Sequence, residues 1–163
     1  MAKEHLATYL NDHLSGSVAA IELLKNLQAA YTGTELEQFC ADLRNDIEAD
    51  RQELKRLMDQ LEIPQSGTRK AGAWFSEKLA ELKMRLDDSA HGPLRLLESL
   101  EAVELGINGK LALWRALMAA AEVAPALRGA LDYQRLAKRA TEQIERVEAH
   151  RLKAAKAAFT GLR

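Results

Sequence analysis

His13, Asp50, Glu104 and Arg151 stand where an otherwise apolar pattern calls for a hydrophobic side chain. An imidazole and two carboxylates are groups that move protons or ligate metals. Asp46 and Glu53 flank Asp50 at helical spacing, and Ser17 lies one turn from His13. A buried unpaired charge is costly, so each of these groups needs a partner, a water, a metal or a place at the end of the fold. Two chemistries satisfy that need. In one, His13, Asp50 and Glu104 hold a single iron, manganese or zinc ion. In the other, His13, Asp46, Asp50, Glu53 and Glu104 form a buried polar cluster that fixes how helices register and takes no metal. The second is the expectation, with no cofactor and no catalytic residue.

The pattern that these residues interrupt is a four-three spacing of apolar side chains in four long segments. Leu6, Leu10, His13, Ser17, Ala20, Leu24 and Leu27 make the first; Cys40, Leu43, Ile47, Asp50, Leu54, Leu57 and Leu61 the second. Leu97, Leu100, Glu104, Ile107, Leu111, Trp114 and Met118 follow, then Tyr133, Ala137, Ala140, Ile144, Val147, Arg151 and Ala154. Residues so spaced line one face of a helix that packs on its neighbours. The pattern predicts an all-α four-helix bundle forming one domain over 1–163, with long helices near 3–31, 34–62, 93–123 and 126–159. A shorter helix is predicted near 71–88, between the two pairs. Thr34 and Glu37 have the spacing of a capping box, and the short Thr32-Gly33 turn makes the first two helices an antiparallel hairpin.

In that hairpin His13 lies ten residues above the start of its helix and Asp50 eleven above the bottom of the next. At about 1.5 Å per residue the two share a level, so an imidazole–carboxylate contact is expected. Whether Glu104 joins them depends on topology. If the chain returns to the top before the third helix, Glu104 enters above that level and Asn108 is closer.

Composition narrows the function. The single Cys40 allows no internal disulfide and no zinc site of its own, and its seam position marks a small buried apolar residue in a reducing, cytoplasmic setting. No stretch has the length and apolarity of a membrane span or a signal peptide. Residues 1–62 carry six basic and twelve acidic groups, and 126–163 carry nine basic and four acidic. The basic final helix is expected to pack beside the acidic hairpin rather than on nucleic acid, because Glu142, Glu145 and Glu148 alternate with its bases. No phosphate loop, Ser-His-Asp set or Cys/His cluster is present.

The layout from Tyr9 through Leu61, with its Thr-Gly-Thr-Glu-Leu turn, resembles the ferritin-like superfamily, and within it the bacterial proteins linked to stress responses. That resemblance implies a ferritin-like bundle. The di-iron members of the superfamily use a Glu on two helices and a Glu-x-x-His on the other two. Here His5, His13, His91 and His150 have no Glu three residues before them, and helix two reads Asp46-Ile47-Glu48-Ala49-Asp50-Arg51. The resemblance therefore implies the fold without ferroxidase chemistry. The expected role is binding: self-association into a homo-oligomer or docking of a protein partner in stress adaptation, with Leu23, Met84 and Leu96 as candidate exposed apolar residues.

Overall fold

A computed structural model describes residues 1–65 and 92–162. Four long helices occur among them: α1 Ala2–Ala30, α2 Glu35–Gln60, α3 Gly92–Ala120 and α4 Tyr133–Ala158. They form a four-helix bundle, with α1 packed on α2 and α3 packed on α4 as hairpins and α1 crossing to α3. The predicted short helix at 71–88, with Met84, lies outside the described residues.

Direction follows from side-chain pairing. Glu53, Asp50, Asp46 and Glu35 of α2 meet Arg135, Arg139, Arg146 and Lys153 of α4, so these helices are antiparallel. Gly92 and Pro93 sit with Thr34, Glu35 and Leu36 around one cleft, which puts the start of α3 at the end where α2 starts. The chain thus re-enters at the top, and Glu104 stands above the Asp50 level.

The buried side chains form one core cluster, and they correct the seams of three helices. On α2 the expected face is the buried one, from Cys40 to Leu57. On α1 Leu10, Leu14, Ile21 and Leu24 are buried, while His13 and Ser17 sit at the edge of the core. Leu23 is buried rather than exposed, because α1 packs on both α2 and α3 and hides a wide arc. On α3 Leu117 points inward and Met118 outward. On α4 Tyr133, Ala140, Val147 and Ala154 are buried as expected, while Leu136 and Gln143 are buried where Ala137 and Ile144 were expected.

The termini also differ from the pattern. The Thr34 hydroxyl donates to the Tyr31 carbonyl instead of capping α2, and Glu37 accepts from the Gly33 amide at 2.6 Å, so the expected capping box does not form. Pro125 opens only a 3-10 turn, Pro125–Leu127. The chain then needs Gly129 at positive φ before α4 begins, capped by Asp132 accepting from the Arg135 amide at 2.9 Å. The Tyr133 hydroxyl ties this loop down by donating to the Leu127 carbonyl.

At the end of α2 Glu62 adopts a left-handed conformation, φ 53°, while the Ile63 amide donates back to the Met58 carbonyl at 2.8 Å. This is a Schellman closure with a side chain where glycine is favoured. Replacing Glu62 by Gly is expected to stabilise the bundle by about 0.5–1 kcal/mol in urea denaturation, the excess of left-handed strain over the entropy cost of glycine. A loss of stability would show that the Glu62 side chain contributes more than its backbone costs.

Candidate functional site

Asp50 is 2 % exposed, on the α2 face turned toward the second hairpin. A carboxylate there must be met by donors, and three side chains supply them. The Arg139 guanidinium of α4 donates from Nε at 2.7 Å and from a terminal nitrogen to the same oxygen, Oδ1. Gln143, one turn on, donates its Nε2 to Oδ2 at 3.0 Å. The Lys110 ammonium of α3 donates to Oδ2 and to the Gln143 carbonyl oxygen, closing a triangle. Burial pulls the Lys110 ammonium below the ordinary lysine range, and the neighbouring Asp50 carboxylate opposes that pull.

Around this centre the two charge-rich faces meet as a ladder. Arg135 reaches Glu53 at 3.0 Å, Arg146 reaches Asp46, and Lys153 reaches Glu35 at 3.4 Å. The outer rungs are exposed and worth little each, whereas the central one is shielded from water. Four bases of α4 are therefore answered by α2, the arrangement that the charge imbalance along the chain suggested.

The expected His13–Asp50 contact does not form. Asp50 is filled by the second hairpin, and His13 packs edge-on against Tyr9 with ring centroids 4.7 Å apart. Its imidazole faces a cavity that Asp12, Ile47 and Lys110 also line. Glu104 belongs to a separate cluster higher in the bundle, where Arg151 reaches it at 3.4 Å, Glu101 at 3.2 Å and Glu148 at 2.5 Å. Burial, then the negative Glu148, raise the Glu104 carboxyl above its usual range. Arg151 hydrogen bonding holds Glu148 below that range.

His13, Asp50 and Glu104 thus have three different sets of neighbours. Among the described residues no three His, Cys, Asp or Glu side chains come together in a way that could hold a metal. Cys40 is buried in the core, and burial pushes its thiol up to about 11, away from reactivity.

No family model and no curated protein sequence matches the chain. Among solved structures, the crystal structure of the E. coli stress protein YciF superposes on it with a TM-score of 0.62. The two chains are 16 % identical, and the superposition covers 97 % of this chain and 94 % of that one. The likeness is one of fold.

Of the expected cluster residues, Asp50 meets Arg139, Asp46 meets Arg146 and Glu53 meets Arg135, whereas Lys110 and Gln143 were not among the residues that the sequence singled out. The usable signal was Leu136, a larger apolar side chain than Ala137, which turns Gln143 inward. Lys110 carried no such signal, since a lysine beside a seam ordinarily reads as solvated.

Burial lowers the pKa of His13, with Asp12 opposing. Burial also lowers that of His150, which stacks on Phe39 at 4.0 Å and faces Lys153. Both rings favour the neutral form when folded, while the unfolded chain takes up their protons below about pH 6.5. Stability is therefore expected to fall as the pH drops from 7.5 through 6.5 to 5.5. The stability of His13→Leu relative to wild type, read from urea midpoints, should therefore rise toward acid pH; a pH-independent offset between them would contradict the assignment.

Proposed function

We propose that the chain is a non-catalytic bundle of ferritin-like architecture that acts in the cytoplasm by binding, through self-association or a docked protein partner, in a stress response. The observation that carries this reading is the state of Asp50. Metal-using bundles bring carboxylates and imidazoles from facing helices onto the ion. The inward carboxylate of this bundle is instead met by Lys110, Arg139 and Gln143, which do the neutralising that a metal would do. The alternative, a degenerate site holding one iron, manganese or zinc ion on His13 with Asp50 and Glu104, would first have to break those contacts.

The likeness to YciF supports the bundle fold, and the description of that protein as a stress protein supports the stress context proposed here. No helix of the described residues is long and apolar enough to cross a membrane. Leu105 on α3, Leu152 on α4 and Phe159 at the end of α4 extend into solvent and take the place of Leu23 and Leu96 as apolar side chains open to a partner.

Native mass spectrometry of tag-free protein after aerobic Fe(II) loading tests this, because it reads assembly and metal together. The expected result is a multiple of the 18.1 kDa chain mass without stoichiometric metal. A species carrying one ion per chain, lost in His13→Ala, would contradict it.

A further inference from the structure

The cavity beside His13 lies between α1, α2 and α3, measures about 240 Å³ and is partly open to the surface. Its lining is mostly apolar, with Ala20, Ile47, Leu54, Ile107 and Leu113 contributed by three helices. Gly16 of α1 and Gly106 and Gly109 of α3 also line it. A glycine inside a helix costs roughly 0.5–1 kcal/mol against alanine and is ordinarily retained where another backbone comes close. Neither Gly16 nor Gly109 has that reason, since a Cβ built on either meets nothing within 4 Å and neither backbone is left-handed. The two missing side chains widen a space between helices instead of closing one.

The polar group on this wall is the His13 imidazole. It rests on the Tyr9 ring and has no hydrogen-bond partner among the described residues. The other functional groups are committed: the Ser17 hydroxyl donates to the Leu14 carbonyl at 2.6 Å, and Lys110 is held by Asp50 and Gln143. Asp50 already neutralises Lys110, so the lining makes no demand for an anionic ligand.

We propose that this cavity binds a small uncharged aromatic molecule of one or two rings, whose single polar group hydrogen-bonds to His13. Volume sets the size: an apolar cavity of about 150 Å³ accommodates benzene, which leaves room here for a substituent or a fused ring but none for a partner helix. The apolar walls give affinity and the imidazole gives orientation. This inference does not depend on the assembly proposed above, since the cavity belongs to one chain.

Isothermal titration calorimetry of the full chain with phenol and toluene tests it. Both probes are expected to bind wild type saturably at one site. Gly109→Leu and Gly16→Leu fill the cavity from opposite walls, and each is expected to abolish binding of both probes. His13→Leu should weaken phenol about tenfold, the size of one hydrogen bond, and leave toluene unchanged. No saturable binding of either probe at millimolar concentration, or binding that survives both filled variants, would overturn the site. Equal effects of His13→Leu on the two probes would overturn the role given to the imidazole. If a filled variant does not fold, wild-type crystals under xenon decide the matter: gas in this cavity supports the site, and its absence overturns it.

Discussion

A carboxylate removed from water must be given donors, and at Asp50 those donors come from both helices of the opposite hairpin. Arg139 and Gln143 on α4 and Lys110 on α3 meet two oxygens that α2 carries. Side-chain hydrogen bonds have short reach, so the contact admits one sliding position and one rotation of the second hairpin relative to the first. Leucine and alanine packing is more permissive, because apolar surfaces tolerate several registers at similar energy. The cluster thus supplies the specificity that the apolar core lacks, a use of buried polar groups known from coiled coils and here inferred for this bundle.

Other features follow from that register. The acidic face of α2 and the basic face of α4 are brought opposite each other over their length, which leaves Asp46, Glu53 and Glu35 with partners at the surface. Glu104 is held a level away by Arg151. His13, no longer needed by Asp50, is left to line the space between α1, α2 and α3. His13, Asp50 and Glu104, each carried by a different helix, are in this way assigned to separate environments.

How far these arrangements were legible depended on contrast. Helix α2 alternates one apolar face with charged flanks, and its inward residues, Asp50 included, could be read directly. Helix α4 has small residues on several sides, Ala137, Ala140, Ala154 and Ala155 among them, so its phase was ambiguous by one position and Gln143 was missed. Helix α1 packs on two neighbours, so its buried arc is wider than a two-helix seam predicts. The partner of Asp50 was a question of topology: the level of α3 depends on where the chain re-enters the bundle, which no local pattern encodes. The charge imbalance between the two ends of the chain was the long-range signal, and it pointed to α4 and away from His13.

Urea denaturation of an Asp50 substitution series tests the central claim most directly. Asp50→Leu alone leaves Lys110 and Arg139 without their carboxylate, and a loss of about 3–5 kcal/mol is predicted. Adding Lys110→Met and Arg139→Leu should restore most of that loss, because the three act as one unit. Adding His13→Leu to Asp50→Leu should restore none. Mild, additive effects at Asp50, Lys110 and Arg139, or rescue by His13→Leu, would contradict the account.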